Sequence, residues 1–304
     1  MIVAELPPAE LQRRLDGPGL RVRMGPLAVS VRAPIRRIRA AMALHYGAHE
    51  VLDGGTFADF DIRIAPPRGL RRFLRPTVIF HVDEVPTLQP LPAEQAFPLL
   101  EWGINWCIAT QCHWFLMLHS AVVERAGGAL LLPAPPGAGK STLCAALVAR
   151  GWRLLSDEMA LIDLGRLDVT PIPRPISLKN RAIDVIRDFW PGASIGAIVH
   201  ETLKGSVAHA RPPAASVARD REAVAVRWIV LPQYVEGAAT SLTHVSRGTA
   251  FMRLVDSAFN YTMHGRAGFE TLAAVVERAE CFEFRYGGDL DAAMRCFDAL
   301  ADAG

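Results

Sequence analysis

The stretch ALLLPAPPGAGKSTLCAALVARG, residues 129–151, decides the fold. It begins with an apolar run of strand length and passes into a loop of Pro, Ala and Gly. From Lys140 the pattern is helical until Gly151, which is well placed as a C-cap. Strand, glycine loop and helix in that order form the context of a phosphate-binding loop. Ala134 to Thr142 fits the pattern of that loop, except that Ala134 stands where its first glycine belongs. Backbone N–H groups must curl around a phosphate there, which demands small residues at close approach and a helix N-terminus directly behind. Pro136, Gly137, Ala138, Gly139, Lys140, Ser141 and Thr142 are therefore the expected nucleotide contacts, with Lys140 as a point charge on the β- and γ-oxygens. The Ser141 hydroxyl is the expected ligand of Mg²⁺, a hard cation that prefers oxygen.

Upstream, HSAVVERAGGALLLP (119–133) reads as a hairpin turning at Ala126-Gly127-Gly128; downstream, WRLLSDEMALID (152–163) reads as two buried strands. The short helix between them predicts a crossover that leaves the strand ending at Ser156 parallel to the 129–132 strand. Ser156-Asp157-Glu158 then emerges at the same carboxyl edge as the glycine loop. Two adjacent carboxylates can divide the labour there, Glu158 with Ser141 on the metal and Asp157 toward an incoming hydroxyl. Neighbours on a strand point to opposite faces, so the same pattern implies that only one of them reaches the phosphates.

Three elements in order, LHSAVVE with His119, the glycine loop at Lys140 and RGWRLLSDE with Asp157, resemble the HPr kinase/phosphorylase group of the P-loop PEP-carboxykinase superfamily, especially its kinase-like relatives from bacterial gene clusters. Asp157 follows Lys140 by 17 residues and His119 precedes it by 21, spacings similar to theirs. In most P-loop ATPases and GTPases the second acidic motif lies much further along the chain. The resemblance covers residues 95–165 well and the remainder weakly. It implies an α/β fold, α+β overall, with a nucleotide-binding core of that kind, using ATP and Mg²⁺. It further implies Asp157 as the catalytic base that accepts the proton of a seryl or threonyl hydroxyl on a protein or peptide, His119 beside the phosphates, and room for a ring or dimer. The acidic pair is Asp-Glu where the bifunctional enzymes have Asp-Asp, and their glycine-containing signature has no match here. Neither phosphorylase activity nor HPr as acceptor is therefore implied.

From Leu20 to Val85 short alternating runs punctuated by Pro and Gly predict antiparallel strands, with a helix near Ile35–Leu44. The prolines of PTLQPLPAE (86–94) read as a linker. The expected division is thus a smaller β-rich N-terminal domain, residues 1–90 and a candidate for acceptor recognition, followed by a kinase domain, residues 91–304. Beyond Thr170 the sequence predicts a helix over Arg181–Trp190, a strand at AVRWIVLP and helices near Thr249–Met263 and Phe269–Arg278. Lys179, Lys204, His209 and Arg211 sit on Gly/Pro-rich segments and are the expected cationic lid or acceptor contacts. Asn260, Tyr261 and His264 are weaker pocket candidates on a segment that reads mainly as core, and Cys144 reads as a small buried residue.

The 304 residues are 51% hydrophobic, which rules out a disordered or fibrous chain, and the net charge of +2 leaves no basic excess for nucleic acid. Five cysteines without a CxxC pair argue against a disulfide framework or a zinc site. The uncharged stretch Trp102–Val123 carries too many polar residues for a membrane span and reads as a buried helix followed by a strand. The first residues lack the order of a signal peptide, so a cytoplasmic protein is expected. Two other functions stay open at this level: a nucleotide-dependent switch that transfers nothing, and a kinase of a small-molecule hydroxyl.

Overall fold

The alternation in residues 20–85 forms the first sheet of a mixed α/β architecture, which a computed structural model describes over residues 1–67, 76–135 and 137–303. Strands β1 (Leu20–Met24) and β2 (Leu27–Arg32) pair as a hairpin, β2 runs parallel to β3 (Phe60–Ala65), and β3 is antiparallel to β4 (Thr77–Val82). Two short strands, β5 (Val85–Pro86) and β6 (Leu91–Pro92), complete this sheet on β4. In β1 and β3 every second side chain is buried, as the period of two demands. Helices α1 (Pro8–Asp16) and α2 (Arg36–His45) bury their apolar stripes against the sheet; α1 was not foreseen in the sequence. Helix α3 (Ala96–Gln111) is the buried helix expected after the prolines, and its Leu100, Ile104, Cys107 and Ile108 share one apolar core with the first sheet. Gly103 is required where α3 crosses Phe80, because a Cβ would overlap the phenyl ring.

A nine-stranded sheet follows. Strands β7 (Phe115–Leu118), β8 (Ser120–Arg125) and β9 (Gly128–Pro133) lead into α4 (Lys140–Ala149). After α4 come β10 (Arg153–Ser156), β11 (Ala160–Asp163) and β12 (Asp168–Thr170). The β8–β9 turn has Ala126 and Gly127 both at positive φ, the geometry of a two-residue hairpin. Strand β10 is antiparallel to β8, and β8 to β9, so β10 and β9 point the same way with β8 between them. The expected common carboxyl edge therefore exists. Because β8 runs the other way, its first residues, including the position just after His119, lie at that edge too.

The rest of the chain walls this edge. A three-stranded sheet is formed by β13 (Ile176–Lys179), then, after α5 (Arg181–Phe189), by β14 (Val199–Thr202) and β15 (Gly205–Ala210), with β15 central. Helix α6 (Ala214–Ala218) precedes β16 (Val224–Tyr234), which runs parallel to β9 in the large sheet. Strand β17 (Ser241–His244), helices α7 (Arg247–Ser257) and α8 (Tyr261–Arg278), strand β18 (Glu280–Tyr286) and helix α9 (Leu290–Asp302) close the chain. The sequence reading did not anticipate β17, β18 or α9. Among the described residues no helix is long and apolar enough to cross a membrane; the stretch Trp102–Val123 is divided among α3, β7 and β8.

Candidate active site

The glycine loop leaves the end of β9 and enters α4 through Gly139, whose φ of 83° is left-handed, as is the 90° of Gly137. Gly139 has a second reason to be glycine: a Cβ there would run into the Tyr286 hydroxyl of β18, which donates to the Gly139 carbonyl at 3.4 Å. The N-terminal N–H groups of α4 have no side-chain cap and face the loop. Lys140 folds back into the interior. Its ammonium donates to His119 Nε2 at 2.8 Å and to the Ala134 carbonyl at 3.3 Å. Burial pulls its pKa down against the attraction of Glu158 and Asp157.

At the end of β10 the alternation of the backbone separates the two carboxylates. Asp157 turns inward and is only 4% exposed. Its Oδ2 accepts from the Ser177 backbone N–H at 2.9 Å, and its Oδ1 has no hydrogen-bond partner among the described residues. Burial and the neighbouring Glu158 charge raise its pKa. Glu158 turns outward, with Oε2 3.5 Å from His119 Nε2 and Oε1 3.6 Å from the Lys179 ammonium. Burial alone would raise the Glu158 pKa, but the adjacent His119 ring and the ammonium groups of Lys179, Lys140 and Lys204 outweigh it and hold the carboxyl well below its ordinary range.

His119, Lys140, Glu158 and Lys179 line a cleft of about 450 Å³ that also holds Gly137, Ser141, Thr142, Ser177, Asn180 and Lys204. The Lys204 ammonium lies 5.3 Å above the Trp102 ring, and burial lowers its pKa. Asn180 ties the lysine-bearing turn to β13: its Oδ1 accepts from Ser206 N–H at 3.0 Å and its own φ is 51°. A second cleft, of about 760 Å³, opens on the other side of the loop and shares His119, Pro135 and Gly137 with the first. No protein-family model matches the chain, and no curated protein is similar enough to match it.

The structure brings together Gly137, Gly139, Lys140, Ser141, Thr142, His119, Glu158, Lys179 and Lys204, while Ala138 faces the second cleft. Pro136 lies outside the described residues. Three expectations change. Asp157, expected to face an incoming hydroxyl, is buried against the Ser177 N–H and is not among the residues that line either cleft. His209 is buried rather than on a lid, its ring edge-on to Phe97 at 5.1 Å and 6.2 Å from His45. Burial and His45 depress its pKa to about 3, so it carries no cation at neutral pH. Arg211 is exposed but lines a separate hollow beside Trp190 and Ala43, because β15 carries it past the cleft.

Asn260 is a structural staple, accepting from Met117 N–H at 2.9 Å and donating to the Phe115 carbonyl at 2.8 Å; His264 Nε2 lies 3.1 Å from it. Tyr261 opens α8 and packs against the core beneath it, 6.4 Å from the Phe251 ring. Cys144 is buried in α4, where burial and the Asp157 carboxylate push its thiol up. Sequence reasoning missed Ser177, Asn180 and the whole second cleft. Asn180 had a local signal, an Asn ending the strand PISLKN, since Asn tolerates positive φ. The second cleft had none, for its walls come from β16, β18 and α7.

Proposed function

We propose that the chain is an ATP-dependent kinase with a P-loop core like that of the HPr kinase/phosphorylase group, transferring the γ-phosphoryl group to a Ser or Thr hydroxyl of a protein or peptide. The observation that carries this reading is the meeting of Lys140, Ser141, His119 and Glu158 on one cleft at the N-terminus of α4. A buried lysine and a free helix N-terminus suit a polyphosphate, and Lys179 and Lys204 add cations on the opposite wall. Ser141 and Glu158 both bring side-chain oxygens to this cleft and suit a nucleotide-borne Mg²⁺, which when bound would neutralise charge on the transferring phosphoryl group.

With Asp157 turned inward, the group placed to take the acceptor proton is His119, the imidazole that both clefts share. In the structure its Nε2 accepts from the Lys140 ammonium. A phosphate that draws the ammonium away would leave that lone pair free beside Glu158, whose carboxylate would stabilise the imidazolium that forms. Asp157 acts as a positioning residue, holding Ser177 and through β13 the wall that bears Lys179.

The test is transfer of label from γ-labelled ATP with Mg²⁺ into the protein and peptide pool of the source cell, comparing wild type with Lys140→Ala and His119→Gln. The expected result is one or more labelled species with wild type alone, nucleotide binding lost in Lys140→Ala and kept in His119→Gln. Transfer at the native rate by either variant would overturn the assignment.

A further inference from the structure

The two clefts meet at His119, Pro135 and Gly137 but differ in what lies beyond. The first continues past Ser141 and Thr142 to Asn180 and Ala182; the second contains no loop residue after Ala138. A triphosphate seated on a helix N-terminus runs its β- and α-phosphates along the residues that follow the lysine. The nucleoside is therefore directed into the first cleft, and the terminal phosphate faces the shared end, where the second cleft opens.

The second cleft is walled by Leu231, Gln233 and Tyr234 of β16, Glu283 of β18 and Arg253 and Asp256 of α7. Among the described residues no hydrogen bond or ion pair engages the side chains of Arg253, Asp256 or Glu283, although all three are charged and exposed. These charges, one basic and one acidic on α7 and one acidic on β18, form a pattern a charged partner can read. Beside His119, at the end the two clefts share, stands Phe259, 47% exposed, with its ring 5.9 Å from that of His119. Met252, 58% exposed, lies on the α7 stripe of Thr249 and Asp256 at helical spacing, and Tyr234 is 38% exposed on the facing strand. Exposed apolar side chains beside unpaired charges and continuous with the reactive end mark an interaction surface. Among the described residues none before His119 lines the cleft.

We infer that this second cleft is the acceptor site, and that it takes an extended polypeptide segment in which the hydroxyl residue is accompanied by a basic side chain, read by Asp256 and Glu283, and by an apolar one seated on Phe259, Met252 and Tyr234. The inference rests on the kinase reading above and narrows it. In the transfer, the bond from the acceptor oxygen to γ-phosphorus forms as the bond from the β,γ-bridging oxygen breaks. The hydroxyl proton goes to His119, and ADP leaves with the electron pair through the first cleft.

The experiment uses the full chain, γ-labelled ATP with Mg²⁺ and a randomised Ser/Thr peptide library, together with titration of a fluorescent ATP analogue. Wild type selects peptides with Lys or Arg near the hydroxyl. The double variant Asp256→Lys, Glu283→Lys changes two exposed side chains; it keeps nucleotide affinity within about twofold, loses labelling of the basic peptides by at least about tenfold, and gains acidic ones. Unchanged peptide selection by this variant would overturn the inference, as would a tenfold loss of nucleotide affinity, which would place the nucleoside in the second cleft. Labelling of no peptide by a wild type that binds nucleotide through Lys140 would overturn the polypeptide acceptor while leaving a small-molecule kinase standing. Nucleotide binding indifferent to Lys140→Ala would remove the kinase reading itself.

Discussion

Asp157→Asn separates a buried positioning carboxylate from a catalytic base. The substitution preserves an acceptor oxygen for the Ser177 N–H, 2.9 Å away, and exchanges one unpartnered polar atom for another, so its main effect is to remove an interior charge. The folded-state pKa of Asp157 is raised by burial and by Glu158. Above that raised pKa the ionised side chain costs folding free energy, because the unfolded chain ionises more readily; below the ordinary carboxylate range both states are protonated and the cost vanishes. Each pKa unit corresponds to about 1.4 kcal/mol, so removing the charge should stabilise the protein by on the order of 1–3 kcal/mol at neutral pH. That is a rise of several degrees in melting temperature, at roughly 2–4 °C per kcal/mol for a chain of this class. Thermal melts of wild type and variant from pH 4 to pH 8 should show a gap that opens as pH rises, and label transfer by the variant should stay within about threefold of wild type, because its role is positional. A variant less stable than wild type at pH 8, or a gap independent of pH, would refute the electrostatic argument. Loss of transfer by 10²-fold or more, with nucleotide binding kept, would return the base to Asp157.

Gly139→Ala forces a left-handed alanine and a collision with the Tyr286 hydroxyl; the backbone alone should cost about 1–2 kcal/mol, and nucleotide affinity should fall with it. Adding Tyr286→Phe should recover the part due to the collision but not the part due to φ, which melts of the single and double variants can resolve. His45 and His209, with pKa values held down to about 4 and about 3 chiefly by burial, are neutral in the folded state. Their contribution is complete above the ordinary histidine range and is lost as pH falls from there toward those values, where the unfolded chain binds more protons. His209→Phe, which keeps an aromatic ring against Phe97, should flatten this acid limb in a stability–pH series.

Much of the large sheet was legible because its signals are local. The turn at Ala126-Gly127, the crossover through α4 and the run ending in Ser156 each confine their own neighbourhood, and together they fix a common edge for β9 and β10. The buried helix at residues 96–111 was legible from its apolar run, but not what it packs against. Its contact with Phe80 depends on Gly103, and a helical glycine in sequence says nothing of the partner it admits. Strand β18 and helix α9 were missed although α9 has a well-formed cap, Asp289 accepting from Ala292 N–H at 2.8 Å. ECFEFRY alternates plainly, but in a parallel pairing with β16 its register comes from a strand more than forty residues away.

The site shows where local reading ends. Adjacency in Asp157-Glu158 establishes that the two carboxylates face opposite ways, yet the alternation carries no absolute phase, and a slip of one residue would exchange their roles. The phase is set by the irregular register between β10 and β8 around Leu154 and Ser156, and by Ser177, whose N–H arrives from another sheet to hold Asp157 inside. Resemblance of spacing points to the first carboxylate; packing presents the second. The same reasoning explains the lysines. Lys179 and Lys204 reach the cleft because β13 and the β14–β15 turn are tied together by Asn180, whereas by the end of β15 the chain has already entered the core at His209 and then passed the cleft at Arg211. A cationic segment in sequence becomes a cationic wall only at the positions where the strand's pleat and its cross-strand partner both turn toward the phosphates.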